Sequence, residues 1–445
     1  MSELRCKIQA HGGNLMGRVR LDKKSIVDYC QKAEAFFLYL LIFALPFSKA
    51  VIEISASFLI VAWVLKRALR YKPDGQRHPI YNLFARFRPI PTYLNIPIYL
   101  YIAAGFFSVI FSSNFHLSLS NFGSKIMEYI MLYFIVAEFI SDITRLKKVL
   151  IVAFTSLIMV AIDCLFQYLF GYDLLRLWPL EAGRVTGSFQ MPGDLGGYLG
   201  PFLCLSLALS VVRFKERKSR YTLRILSVLL LTLLIGTFSR GAWLGFLVGV
   251  GFLGLTENRK IIYFTMAILI ALAVVLPHII DAPYDILARA KSSFKLSGLS
   301  NSDRKLMWQV AWQMIKDRPF FGQGFSTFMG NFAKYGQEYR FFKEQGQIPY
   351  AHNCYLQIAA ETGIVGLISF LFLIGTFLWR SLASLRKMKK RFSHAVLSGI
   401  TAGIIATLTH STFDTNLYSL QLSVLFWFML SINAGLQRGL DLDRS

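Results

Sequence analysis

The residues best able to do chemistry begin at His352, in the stretch Ala351-His-Asn-Cys-Tyr-Leu-Gln-Ile-Ala-Ala-Glu-Thr-Gly-Ile-Val-Gly366. An apolar run starts here and continues to about residue 379, which is long enough to cross a bilayer at ~20 residues per span. We therefore expect His352 near a membrane surface. An imidazole can take a proton from a hydroxyl near neutral pH, since its ordinary pKa is about 6.5. The alternative is an interfacial histidine that hydrogen-bonds a neighbouring loop.

A helix over residues 351–366 would give His352 a face of small residues for close packing on another helix, because three- and four-residue steps return to one side. That face consists of Tyr355, Leu356, Ala359, Gly363 and Gly366. Glu361 would point roughly to the opposite side. Since it is ionisable and lies inside a predicted span, it is either a functional group or a structural partner of a neighbouring helix.

Three arginines fall where the charge pattern predicts the outer side of the membrane. Arg240 follows Thr237-Phe-Ser at the outward end of one span, and Arg184 and Arg304 lie in outer loops. A guanidinium offers a fork of donors that matches a phosphate, although an arginine at a span end can also be a snorkelling anchor. Several outward arginines near one histidine would form an anion site at the outer leaflet.

His410 and Asp414 are four residues apart at another outward helix end. They can share a helix face and pair, either for catalysis or as a structural hydrogen bond.

The whole chain has the composition of a polytopic membrane protein. Its 445 residues are 55% hydrophobic and 15% aromatic, and its mean hydropathy is positive. The net charge of +23 comes from short clusters of Lys and Arg between apolar runs, the distribution that sets the orientation of membrane proteins. We therefore expect no nucleic-acid partner. The five cysteines are scattered without zinc-type spacing, so we expect neither disulfides nor a metal.

The apolar runs predict an all-α polytopic protein of about twelve transmembrane helices. They lie near 34–48, 50–65, 93–112, 121–140, 147–170, 193–212, 221–238, 241–256, 260–280, 351–379, 394–412 and 417–437. Basic residues concentrate in alternate loops on the side of the N-terminus, which by the positive-inside rule is the cytoplasm. Both termini are therefore expected inside, and the first apolar run reads as a retained span rather than a cleaved signal.

These runs divide the chain into five predicted parts. They are a basic cytoplasmic N-terminus (1–33), helices one to nine (34–280), a large outer loop (281–350), helices ten to twelve (351–437) and a cytoplasmic C-terminus (438–445).

The loop 281–350 is the only hydrophilic piece large enough to cover a site. Trp308, Trp312, Met314 and Ile315 predict an amphipathic helix lying along the surface. The following Asp317-Arg-Pro-Phe-Phe-Gly-Gln-Gly324 predicts a helix stop and a turn.

Glycines recur at positions 241, 245 and 249, and at 193 and 197. This small-xxx-small spacing predicts helix packing rather than ligand binding. The sequence has no nucleotide-binding fingerprint and no repeat of 20–50 residues.

Two patterns resemble the O-antigen ligase family. His352-Asn353, nine residues, Gly363, two residues and Gly366 is similar to its H[NSQ]x9Gxx[G] signature, and Arg240 to Leu244 is similar to its Rx3L element. The segment from Arg304 to Gly324 resembles the loop before the family histidine. The similarity runs from about residue 184 to residue 414.

The resemblance implies a GT-C type glycosyltransferase in the bacterial inner membrane, active at the periplasmic face without metal or other cofactor. It would transfer a glycan from undecaprenyl diphosphate to lipid A–core oligosaccharide and invert the anomeric centre. Residue by residue, it makes His352 the catalytic histidine and Arg240 and Arg304, with Arg184, the diphosphate-binding arginines. Asp414 matches an acidic position on the penultimate span, and Asn353 and His410 are supporting residues.

Related functions remain open. An O-antigen or exopolysaccharide polymerase uses the same donor with a second lipid-linked glycan as acceptor, and a protein O-oligosaccharyltransferase uses a protein. A transporter of lipid-linked glycans belongs to another class, but such proteins place polar sites near the bilayer midplane and often contain repeats. Here the polar candidates gather at outer helix ends.

Overall fold

The computed structural model of the protein describes residues 23–71, 79–140, 142–212, 217–279, 299–335, 350–388 and 391–442. Within these ranges the fold is all helical, with two isolated β-bridges and no strand. Thus the predicted all-α class is confirmed for the described residues.

A helix occurs at each of the twelve predicted apolar runs. The helices that correspond to them and to the connecting segments are α1 Lys23–Ala44, α2 Lys49–Arg70, α3 Pro79–Phe87, α4 Asn95–Ile110, α5 Phe115–Asn121, a π-helical turn Phe122–Met127, α6 Glu128–Phe139, α7 Ile143–Phe170, α8 Pro192–Ser210, α9 Arg217–Gly236, α10 Arg240–Thr256, α11 Lys260–Ile279, α12 Leu299–Asp317, α13 Phe328–Tyr335, α14 Cys354–Lys387, α15 Arg391–His410, a 3-10 turn Asn416–Tyr418 and α16 Leu420–Leu442.

Five of these helices are long and apolar enough to cross a membrane. They are α7, α9, α14, α15 and the part of α16 up to residue 439, while 95–110, 240–256 and 260–272 are shorter apolar helices. This supports an integral membrane protein with several spans. The count of twelve spans, the sidedness of the loops and the five-part division stay predictions.

The chain forms two compact units. The first comprises residues 1–37 and 57–88, and the second comprises 38–56 and 89–445. In the first unit, the buried Lys66 ammonium lies 2.7 Å from a carboxylate oxygen of Glu34, so each charge is compensated where water is excluded. All candidate site residues belong to the second unit.

In the second unit, α15 and α16 form the interior. The apolar windows of these helices are 78% and 94% buried, against 39% for α9. α15 packs on α8 and α10, α16 packs on α6, and α14 packs on α4. The two buried helices flank the turn 411–419, so this turn and Asp414 in it rest on the best-packed part of the unit.

The predicted glycine face of α10 packs on α15. A β-carbon on Gly245 would lie 2.3 Å from the carbonyl oxygen of Ala406, and one on Gly249 would lie 2.9 Å from that of Ala402. Since real β-carbons do not come so close, glycine is required for this approach of the two backbones. The packing interpretation of the glycine spacing is confirmed for Gly245 and Gly249.

α12 is amphipathic, as predicted, but its apolar face packs on protein. Met307 and Met314 are buried in a cluster with Phe328 and Phe332 of α13, and this cluster extends to the start of α14. Trp312 is 53% exposed on the opposite side. The helix ends at Asp317, which confirms the predicted helix stop; its placement along a membrane surface stays a prediction.

α14 is broken at Gly363, which has φ +67°. The Ala360 and Glu361 carbonyls accept hydrogen bonds from the Gln323 and Gly324 amides at 2.9 and 3.0 Å. Beyond the break, the amide of Ile364 donates to Pro319 O at 2.8 Å. The loop after α12 therefore satisfies the backbone groups that the break releases, and this pairing fixes the loop to the helix that follows His352.

Candidate active site

Asn353 forms the N-cap of α14. Its side-chain oxygen accepts hydrogen bonds from the amides of Tyr355 and Leu356 at 2.9 and 3.0 Å, which satisfies two of the free amides of the first turn. His352 precedes the helix and has φ +48°, an uncommon conformation for a residue with a β-carbon. Such backbone strain occurs often at functional sites.

The expected helix over residues 351–366 is therefore wrong at both ends. His352 does not share a helical face with Tyr355 and Leu356, because the Asn353 cap starts the helix at Cys354. Gly363 is not helical, because its backbone turns to pair with the loop after α12. The His352 ring projects from the helix start, with 41% of the side chain exposed.

His352, Asp414 and His410 lie together. Nδ1 of His352 is 3.4 Å from Oδ1 of Asp414, and Nε2 of His410 is 3.9 Å from Oδ2 of the same carboxylate. The predicted pairing of His410 with Asp414 is present, although α15 ends at His410 and Asp414 lies in the following turn. One carboxylate thus faces a half-exposed histidine on one side and a buried histidine on the other.

The Asp414 carboxylate is held in its ionised form. Burial alone would raise its pKa, but the hydrogen bond from His352 and the charges of His410 and His352 outweigh burial and lower the pKa to about 2. The amide of Thr415 also donates to Oδ1 at 2.8 Å. Asp414 therefore offers a permanent negative charge that can orient His352.

Backbone hydrogen bonds connect the segments that carry the two residues of this pair. The amide of Cys354 donates to Ser411 O at 2.9 Å, which joins the start of α14 to the turn after α15. The thiol of Cys354 lies 3.4 Å from the carbonyl oxygen of Asp414.

Two of the three predicted arginines belong to segments near His410. Arg304 interacts electrostatically with it. Arg240 begins α10, and a β-carbon on the adjacent Gly241 would lie 2.7 Å from Cδ2 of His410. The Nε of Arg184 donates to the carbonyl of Thr237 at 2.9 Å, three residues before Arg240. All three side chains are half-buried.

Glu361 is buried and hydrogen-bonded on both carboxylate oxygens. It accepts from the amides of Ser326 and Phe328 at 2.9 and 3.1 Å, from Gln357 Nε2 at 3.3 Å and from the Tyr418 hydroxyl at 3.0 Å. Of the two interpretations of Glu361, this geometry favours the structural one.

A family model described as O-antigen ligase matches residues 225–371, a stretch that includes Arg240, Arg304, His352 and the break at Gly363. Over these residues the chain is similar to the O-antigen ligase family.

A curated relative from Salmonella typhimurium (strain LT2), named "O-antigen ligase", is 25% identical over 295 residues. The match covers 64% of this chain and 69% of the relative. The similarity to the O-antigen ligase family supports glycosyltransferase-type activity on lipid-linked glycans in a membrane. The role of each site residue, the identity of donor and acceptor, and metal independence stay predictions.

Sequence reasoning missed two features of this part of the chain. Asp194, in the first turn of α8, interacts electrostatically with Asp414 and with Lys49. The neighbouring Gly193 lets the start of α8 come close to Asp414, because a β-carbon at position 193 would lie 2.8 Å from Oδ2 of Asp414. An acidic residue beside two glycines at a predicted helix start was the available signal.

The second missed part is a cavity beside Tyr418. The space that the centre of a water molecule can reach is ≈ 60 Å³, several times the ~10–15 Å³ that one water needs. Its wall includes Tyr101, Lys125, Tyr129, Phe370, Phe426 and Trp427. The π-helical turn presents Lys125, whose Nζ donates to Ser326 Oγ at 2.9 Å. No sequence pattern predicts this convergence of separate helices.

Proposed function

We propose that the protein is an O-antigen ligase that transfers a glycan from undecaprenyl diphosphate to lipid A–core oligosaccharide at the periplasmic face of the inner membrane. The similarity to the O-antigen ligase family supports this proposal. The observation that carries it is the His352–Asp414 pair, whose carboxylate also faces His410, with Arg304 and the start of α10 at Arg240 near that second histidine. The pair joins a proton acceptor to an orienting carboxylate, and the arginines supply positive charge where a diphosphate would leave.

In the proposed reaction, the diphosphate is both the anchor and the leaving group of the donor. As the bond between sugar C1 and the diphosphate oxygen breaks, that oxygen keeps the electron pair and gains charge. Arg240 and Arg304, with Arg184, would stabilise the charge, since preorganised positive charge is often the largest catalytic contribution. This assignment requires no metal.

His352 would take the proton of the acceptor hydroxyl as its oxygen forms the new bond to C1. General-base catalysis of this kind contributes roughly 100- to 10,000-fold. Asp414 would fix the orientation of the ring and stabilise the imidazolium that forms. Direct displacement inverts the anomeric centre. A covalent route needs a placed nucleophile, for which Asp414 is the candidate carboxylate.

The test uses purified protein, undecaprenyl-diphosphate-linked glycan and EDTA, without nucleotide. One arm contains lipid A–core, and the other contains only more donor. The proposal expects glycan on lipid A–core and no chain growth in the second arm. Chain growth without core would instead make the protein a polymerase. Transfer seen only when EDTA is omitted would contradict metal independence.

A further inference from the structure

The carboxylate of Glu361 is a junction between three segments of the site. It is 1% exposed and accepts four hydrogen bonds, from the amides of Ser326 and Phe328, from Gln357 and from Tyr418. A buried carboxylate with four donors is strongly bound in one position, and its removal leaves those donors unsatisfied.

One hydrogen-bond path leads from Glu361 to His352. Nε2 of Gln357 donates to Glu361 at 3.3 Å, and Oε1 of the same amide accepts from the backbone amide of Ala351 at 3.1 Å. Ala351 directly precedes His352, whose positive φ needs support from its surroundings. The path therefore holds the backbone that sets the position of the His352 ring.

A second path leads from Glu361 to Asp414. The Tyr418 hydroxyl donates to Glu361 at 3.0 Å, and the Tyr418 amide donates to the carbonyl of Thr415 at 2.9 Å. Thr415 in turn donates its own amide to Oδ1 of Asp414 at 2.8 Å. Tyr418 also packs against Tyr350, with ring centroids 6.2 Å apart. One path thus ends at the residue before His352, and the other ends at Asp414.

We propose that Glu361 is a positioning residue for both members of the His352–Asp414 pair, acting through Gln357 on the histidine and through Tyr418 on the aspartate. The proposal rests on the proposed ligase function for its effect on turnover. Glu361 does not touch the reacting atoms. Its role is to keep the 3.4 Å contact between Nδ1 of His352 and Oδ1 of Asp414.

The first experiment measures ligase kinetics of Glu361→Gln, Gln357→Leu and Tyr418→Phe. We expect Glu361→Gln to lower kcat roughly tenfold or more, as loss of an outer partner of a functional histidine does, and to leave the donor KM within about twofold, because the arginines are untouched. Tyr418→Phe and Gln357→Leu each break one path and should lower kcat less. Adding Tyr418→Phe to Glu361→Gln should not lower kcat further, since each substitution already interrupts the path through Tyr418 to Asp414.

Tyr93→Phe is the matched control. Its hydroxyl donates to Asn433 Oδ1 at 2.6 Å, so this variant also loses one buried tyrosine hydrogen bond, without contact to the site. It should keep the wild-type kcat. A folded Glu361→Gln protein with wild-type kcat, or additive losses in the double variant, would overturn the proposal.

The second experiment does not depend on ligase activity. Diethyl pyrocarbonate modifies accessible histidine nitrogens, and the rate at His352 can be followed by mass spectrometry at fixed pH. We expect Glu361→Gln and Tyr418→Phe to raise this rate several-fold, because Nδ1 is no longer held against Asp414, and Tyr93→Phe to leave it unchanged. An unchanged rate in both site variants contradicts the positioning role. A raised rate in a protein without glycan transfer would instead reject the proposed function alone.

Discussion

Nδ1 of His352 lies 3.4 Å from Oδ1 of Asp414, although the two residues are 62 positions apart in the chain. The contact joins the start of α14 to the turn that follows α15. It gives the one half-exposed histidine of the site a fixed anionic partner.

Asp414→Asn should therefore lower ligase turnover. The amide keeps the size of the side chain but loses the charge that orients His352, and we expect kcat to fall about 10- to 100-fold with a small change in donor KM. Steady-state kinetics on lipid A–core measures both constants. Wild-type turnover in this variant would show that the contact has no role in the reaction.

The same carboxylate should make stability depend on pH in acid. The pKa of Asp414 is about 2 in the folded protein, below its ordinary value of 3.8. A depressed folded pKa contributes stability above the unfolded value, and this contribution is lost as pH falls through the folded value. The free-energy difference between wild type and Asp414→Asn should thus shrink between pH 3.8 and about 2. Thermal unfolding of both proteins in detergent across this pH range measures the difference. A difference that grows as the pH falls would contradict the prediction.

Gly363→Ala should destabilise the fold strongly. The glycine has φ +67°, and a β-carbon would lie 2.1 Å from the carbonyl oxygen of Phe320, so the substitution disrupts the pairing between the loop and α14. We expect a loss of about 2 kcal/mol or more in the free energy of unfolding. Gly375→Ala is the control on the same helix, because nothing lies within 4 Å of its β-carbon; it should change stability by no more than about 1 kcal/mol. Equal effects of the two substitutions would contradict this account of the break.

The sequence was sufficient where the signal is local or periodic. Apolar runs located the helices, and small-residue spacing indicated the packing of α10. It was insufficient for His352 and Gly363, because their positive φ values result from tertiary hydrogen bonds. Gln357 and Tyr418 carried no signal at all, since their importance arises only when separate segments meet at Glu361.

The arginines should act on the donor rather than on the acceptor. Arg304→Gln and Arg240→Gln should each raise the donor KM about tenfold, because a charge-assisted contact to phosphate is lost. Arg318→Gln is a control, since Arg318 is an exposed arginine that donates to the carbonyl of Phe111. Kinetics at varied donor concentration tests this, and an increase confined to the acceptor KM would reassign the arginines.

The most direct test of the proposed ligase mechanism is glycan transfer by His352→Ala in a purified assay, with saturating undecaprenyl-diphosphate-linked glycan and lipid A–core. His352→Ala must first show wild-type thermal unfolding, which is expected because the ring is 41% exposed. The mechanism predicts a fall in transfer of roughly 100-fold or more. A folded His352→Ala protein that attaches glycan at the wild-type rate would contradict it.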